Sequence, residues 1–425
     1  MEFSTSLGRR ERDAGMNVLF VCHRFPYPPN RGGKIRPFHM IRHLSQKHRV
    51  VVATLAHSQE ELQQGAGLYD YCSEVLAEVV PGPVRWMHAV SALPTPVPSS
   101  AHYFRSAKLY RSIQELQSRI AIDAVIVHCA FMAGYVQNVQ APFRMMDFGD
   151  LDSWKWSDYA RHCAFPLSAG YALESLKLQR VERKLASEFD HCTVTAQGEL
   201  ESYKELGAST PCSVIPNGVD AEYFRMPEHR AQNSRTIVFL GRMDYFPNVS
   251  GILNFVKDVF PLVRQRAPDV HLRIVGSNPL PKISALEKLG GISVTGFVPD
   301  VRPHVEDAAV AIAPLAIARG TQNKVLECMA MGIPVVASPQ AAKGVQAVPG
   351  RHLLVGGNPE EFADRIIDLL GNAELRMKIA EEGRRQVMSV HSWPESMKLL
   401  DELLEGRNGA TSLAESPTST LANFT

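Results

Sequence analysis

The feature that most limits what this chain can fold into is a rhythm that runs once and then starts again. A short apolar run at 18–22 leads into the Pro/Gly-rich loop "HRFPYPPNRGG", a helical pattern over 35–47 and the strand "RVVVATLA". Continuous apolar runs suit parallel strands buried on both faces, and their alternation with helices predicts a doubly wound α/β sheet. "DAVIVHCA" and "FRMMDFGD" add strands, 169–188 is an amphipathic helix, and "DHCTVTA" is the strand after it. The pattern restarts at "RTIVFLGRMDYFPN", with a helix over 249–267 and strands in "VHLRIVGS", "GISVTGFVP", "AVAIAPL" and "PVVAS". Length agrees, because 425 residues exceed one ordinary core and fit two domains of about 150–200 residues.

The expected organisation is a flexible extension (1–15), an N-terminal Rossmann-like domain (16–211), a C-terminal one (212–390), an amphipathic helix (391–405) and a disordered tail (406–425). The Pro-Asn-Gly turn in "SVIPNGVD", 213–220, marks the junction. Two such domains bring the carboxyl ends of both sheets around one cleft, where open α/β sheets bind ligands.

A formal net charge of +1 argues against nucleic-acid binding. Seven scattered cysteines with no CxxC pair read as reduced thiols, and no metal site is expected. No apolar run reaches the ~18 residues of a spanning helix. "MEFSTSLGRRERDAG" has no apolar core of a secretory signal, so a cytoplasmic protein starting naturally near Met16 is expected.

Four stations carry candidate chemistry. In "PPNRGGKIR", Gly32 and Gly33 let backbone N–H groups approach a phosphate or sugar at a helix start, although such a pair is also a common turn. Residues 16–59 hold no Asp or Glu but several Lys and Arg, giving either an ordinary solvated face or a basic surface for an acidic, lipid-linked acceptor. His128 stands where a strand should end, as a cleft group or a core histidine. Nearby Asp147, Asp150 and Asp152 read as a loop with N-capping aspartates. In "FLGRMDYFPN", Gly241 and then Arg242 follow a strand, and a guanidinium there can grip a diphosphate. In "ARGTQNKVLECMAMGIPVVAS", Gly320 and Thr321 precede a helix. Its Lys324 and Glu327 share one face, either as a simple ion pair or as a ribose-binding carboxylate beside a cation.

Together these motifs resemble the retaining GT-B glycosyltransferases of the E-x7-E type over about residues 16–405. "NVLFVCHRFPYPPNRGGKIRPFHMIRHL", "DFGDLDSWKW", "GRMDYFPN" and "RGTQNKVLECMAMGIPVVAS" are similar to the exosortase-associated sugar transferases of bacterial exopolysaccharide synthesis. The resemblance implies a GT-B fold and no cofactor or metal, with a nucleoside-diphosphate sugar as the substrate held by the C-terminal domain. It implies a saccharide or polyprenyl-phosphate-linked acceptor on the N-terminal side, with peripheral contact at the inner membrane. Arg242 would contact the diphosphate, Glu327 the ribose, Gly32/Gly33 the donor phosphate or acceptor, and His128 the transferred sugar. The helix containing Trp393 would cross back onto the N-terminal domain. Two positions depart from the family. Pro247 and Asn248 stand where a Lys is usual, and Arg319 replaces the first Glu. Lys324 or Arg319 is expected to supply the missing charge, and a GT-B-type epimerase or a non-catalytic sugar-nucleotide binder are the rival readings.

Overall fold

The computed structural model describes residues 15–227 and 234–406. The expected extension and tail fall outside the described residues, apart from Gly15 and Gly406. Seven parallel strands form the first sheet: β1 (Asn17–Cys22), β2 (Arg49–Ala56), β3 (Glu74–Val79), β4 (Ala124–His128), β5 (Phe143–Gly149), β6 (His191–Val194) and β7 (Cys212–Val214). Their order is β3-β2-β1-β4-β5-β6-β7. The second sheet holds β8 (Thr236–Leu240), β9 (His271–Val275), β10 (Ile292–Val294), β11 (Val310–Ala313), β12 (Val335–Ala337) and β13 (Leu354–Val355). Its order is β10-β9-β8-β11-β12-β13, again all parallel. Strand order reverses between β1 and β4 and between β8 and β11, the two switch points where such sheets open a crevice.

β7 pairs with β6, so residues 212–214, expected in the second domain, complete the first sheet. Ile215 is buried in the first core and Val219 in the second, which puts the crossing between them. The first helix begins at Gly32, three residues before the predicted start, because the Lys34 and Ile35 amides both turn back to the Arg31 carbonyl. The helix expected over 249–267 runs from Phe246 to Arg266 but widens at Phe255–Val259. Pro261 lies just beyond, and its missing N–H and bulky ring do not fit an unbroken i→i−4 ladder.

The last helix, Trp393–Leu404, returns to the N-terminal domain. Trp393, Met397, Leu400 and Leu403 join the core under β1 and β2, and the Trp393 ring stacks on His39 at 4.3 Å. Asp401 accepts from His43 and Lys47. Among the described residues, no helix is long and apolar enough to cross a membrane.

Candidate active site

The cleft wall of the first domain is built from strand ends. β1 and β4 run in register, with Cys22 opposite His128, so the residues that follow them converge. His128 is buried, and its Nδ1 lies 2.7 Å from Asp147 Oδ2. Asp147 is fully buried on β5 and accepts two further partners, Thr193 Oγ1 at 2.8 Å and the forked guanidinium of Arg36 at 2.7–3.2 Å. Burial opposes its charge, but Arg36 and then His128 hold its carboxyl far below the usual range. An ionised Asp147 favours the proton on His128 Nδ1, which leaves Nε2 as the ring nitrogen not engaged by this carboxylate. The His23 ring stacks on His128 at 5.8 Å, and Arg24 Nε donates to His23 Nε2 at 3.1 Å. Burial, with the charge of Arg24 next, keeps His23 neutral. A Cβ at Gly33 would lie 3.1 Å from the Arg24 side chain and crowd it, whereas Gly32 faces open space.

Two expectations for this wall change. Asp147 is a buried strand residue paired with Arg36, and the residue before the helix Asp152–His162 is Leu151, with no side-chain cap. The aspartates therefore do not cap that helix. The basic stretch is largely spent within the fold: Arg36 on Asp147, Arg31 and Lys34 on Glu61, Lys47 on Asp401. Arg24 has no carboxylate partner among the described residues.

On the opposite wall, Gly241 ends β8 with φ +152. A Cβ there would lie 2.6 Å from Asn248 Nδ2 and 3.4 Å from Lys324 Nζ, so only glycine lets those two groups close over the strand end. Asn248 Nδ2 donates to the Arg242 carbonyl at 2.9 Å, and Lys324 Nζ donates to Asn248 Oδ1. The ammonium of Lys324 thus arrives at Asn248, in the region where the sequence resemblance expected a Lys. Burial pulls Lys324 down to about 8 and pushes Glu327 up to about 7, each moderated by the charge of the other. No donor among the described residues hydrogen-bonds the Glu327 carboxylate. Arg242 is half-exposed, and Asp244 holds it at 2.5–3.0 Å; a diphosphate would compete with that carboxylate.

Arg319 points elsewhere. Its Nε donates to Asp158 Oδ2 at 2.9 Å and its Nη1 to Glu199 Oε1 at 3.1 Å, both in the N-terminal domain. Its guanidinium carbon lies 5.6 Å from the Trp154 ring centroid. Burial and then the neighbouring Asp150 push Glu199 up to about 7, with Arg319 opposing. Beside this contact, Gly320 (φ +57) sits against Asp150, whose Oδ1 is 1.8 Å from where a Cβ would be. Thr321 Oγ1 donates to the Thr195 carbonyl at 3.2 Å, and Asn323 accepts from Asn217. The loop 318–323 is therefore the seam between the domains. Of the predicted residues, His128, Gly33, Gly241, Arg242 and Lys324 stand at strand or helix ends and Glu327 one turn further along the helix Asn323–Ala330, while Arg319, Gly320 and Thr321 make the seam.

Sequence reasoning missed Asp147 as the partner of His128, and it missed Asn248 and Arg24. Only the alternation of β5 could have marked Asp147, because a carboxylate inside an apolar strand needs a buried counter-charge. His23, His128 and Cys129 bring possible metal-binding atoms within 4.8 Å of one another. His128 Nδ1 is already committed to Asp147, and Arg24 and Lys155 make the surroundings of His23 positive, which suits an anion better than a cation.

The fold is GT-B, two parallel-sheet Rossmann-like domains facing each other. HepE of Anabaena, solved with UDP, aligns over 92% of this chain and 100% of its own with a TM-score of 0.67 at 14% identity. Residues 234–372, most of the second domain, match the family model "Glycosyl transferases group 1". D-inositol 3-phosphate glycosyltransferase of Corynebacterium glutamicum is 26% identical over 250 residues, 52% of this chain and 58% of that protein. Phosphatidyl-myo-inositol mannosyltransferase of Mycobacterium tuberculosis is 31% identical over 191 residues, 41% of this chain and 48% of that protein. The chain thus matches about half the length of these curated relatives.

Proposed function

We propose that this chain is a retaining glycosyltransferase that moves a sugar from a nucleoside-diphosphate sugar to a saccharide or lipid-linked acceptor, in bacterial exopolysaccharide synthesis. The observation that carries this reading is the group at the end of β8: Gly241, Arg242, Asn248, Lys324 and the unbonded Glu327 carboxylate. In this reading Glu327 accepts from the two ribose hydroxyls, and Lys324 and Arg242 neutralise the diphosphate as it leaves. His128, oriented by Asp147, presents Nε2 to the transferred sugar. The acceptor hydroxyl then attacks from the face the diphosphate vacates, so catalysis rests on positioning and on leaving-group stabilisation. The residues in named roles need no metal for this chemistry. The match of the second domain to group 1 glycosyl transferases supports a sugar-nucleotide donor in that half.

The test is incubation with UDP-, GDP- and dTDP-sugars, with and without lipid-linked saccharide acceptors. Nucleotide release only with acceptor and a product of unchanged anomeric configuration are expected. An altered sugar on an intact nucleotide would assign an epimerase, and binding without turnover a non-catalytic homologue.

A further inference from the structure

The chain crosses between the domains twice, and the two crossings are bound to each other. Ile215 and Val219 lie in different cores, as do Val387 and Trp393, so the crossings are residues 216–218 and the approach to the last helix. A parallel bridge pairs Val219 with Ser392, and the Val219 amide donates to the His391 carbonyl at 2.7 Å. Gly218 presses against this return, since a Cβ there would lie 2.6 Å from the Trp393 backbone nitrogen. The buried His391 ring closes the joint. Its Nε2 accepts from the Gln346 amide at 3.2 Å, so Nδ1 carries the proton and donates to the Asn217 carbonyl at 3.0 Å. The backbone of Asn217 is therefore held from both sides.

Its side chain has one partner in each domain. Arg36 Nη1 donates to Asn217 Oδ1 at 3.3 Å and to the Ile215 carbonyl at 2.7 Å. An arginine only donates, so the oxygen of the Asn217 amide faces it, and Nδ2 donates the other way, to Asn323 Oδ1 at 3.2 Å. Arg36 is the residue whose fork holds Asp147, and Asp147 in turn holds His128 Nδ1. Asn323 opens the helix that carries Lys324 and Glu327. An unbroken set of hydrogen bonds thus runs His128–Asp147–Arg36–Asn217–Asn323, from the end of β4 to the start of that helix. A turn asparagine bonds its own near neighbours; the side-chain partners of this one lie 181 and 106 positions away. Asp147 and Arg36 are buried, where a hydrogen bond is stronger than in water.

We infer that Asn217 is a positioning residue, whose amide fixes where His128 stands relative to Lys324 and Glu327. It acts through Arg36 on one side and Asn323 on the other. Its effect on turnover rests on the transferase reading; the coupling between the two domains does not. The contacts of Arg319 and Thr321 remain when Asn217 is replaced, so losing this tie misaligns the two walls without opening the molecule.

The test is a cycle of Asn217→Leu and Asn323→Ala in the full chain. Asn217→Leu removes both side-chain bonds at similar size, and Asn323→Ala removes one of them from the other end. With whichever of the UDP-, GDP- and dTDP-sugars the wild type turns over, each variant should lower kcat by about three- to tenfold, the scale of a lost hydrogen bond. The double variant should be no worse than Asn217→Leu alone. Affinity for the free nucleoside diphosphate, melting temperature and radius of gyration should stay at wild type, whereas a merely structural role would move them together with kcat. Asn217→Asp still accepts from Arg36, and also from an Asn323 amide turned round, so it should keep most of the turnover. Unchanged kcat in Asn217→Leu, or two effects that simply multiply, overturns the inference. The coupling is also read without any donor. In chain carrying isotope-labelled histidine, Asn323→Ala should shift the His128 imidazole resonance, and should leave it in place in the Asn217→Leu background. A His128 signal indifferent to Asn323→Ala overturns the positioning role, whereas a shift that depends on Asn217 in a chain that transfers no sugar refutes the transferase reading alone.

Discussion

Lys324 and Glu327 sit one helical turn apart, and burial draws their ionisation ranges together, to about 8 and about 7. Donor binding as proposed needs Lys324 protonated and Glu327 ionised. Falling pH removes the carboxylate that accepts from ribose; rising pH removes the ammonium that meets the diphosphate. Affinity for the sugar nucleotide should therefore peak between about 7 and 8 and fall on both sides, measured by calorimetric titration across pH. Glu327→Gln should weaken binding by about 1.5–3 kcal/mol near the peak, as expected for loss of hydrogen bonds to a charged group, and should flatten the acid limb while leaving the alkaline one. A bell that survives Glu327→Gln intact would remove Glu327 from the ribose. The pair was legible from sequence because i,i+3 spacing fixes a shared face. The Asp147 partner of His128 was not, because β5 and β4 meet only in the sheet.

At the scale of elements, the strand-to-helix turns of the second domain carry the donor-side geometry. β8 and β9 end in glycines that touch: Gly276 has φ +151, and a Cβ on it would fall 1.6 Å from the Gly241 carbonyl oxygen. Gly241→Ala adds a Cβ at an unfavourable φ, a strain of about 1–3 kcal/mol, and pushes Asn248 off the Arg242 carbonyl. The expected result is a modest drop in thermal stability with a loss of donor affinity of at least about tenfold, about 1.4 kcal/mol. Equal donor affinity in the variant would show that the Asn248–Lys324 arrangement does not matter for binding. Strands and most helices were legible at this scale, because fully apolar runs between polar helices have few alternative packings. The junction and β7 were not, because a three-residue strand at a sheet edge leaves a pattern too short to separate from the turn that follows it.

At the scale of the whole molecule, Arg319 ties one domain to the other. The sequence resemblance made it a substitute at the donor sugar, and periodicity could not say which way its side chain turned. In the structure its two carboxylate partners, Asp158 and Glu199, both belong to the N-terminal domain, and its side chain is 19% exposed. Breaking a largely buried ion pair while leaving its carboxylates behind costs about 3–5 kcal/mol; Arg319→Glu goes further and sets three acids together. The domains should then separate, giving a larger radius of gyration in solution scattering and a fall in kcat/KM, while affinity for the free nucleotide, which the second domain is proposed to hold, stays near wild type. Acid should partly reverse the opening, because burial and Asp150 already raise Glu199 against the opposing charge of Arg319, so losing that cation raises it further and its protonation removes one of the repelling charges. Arg319→Gln, which removes the cation without adding a third acid, should open the molecule less. Unchanged scattering with an altered preference among donor sugars would return Arg319 to the donor and leave the seam to Gly320 and Thr321.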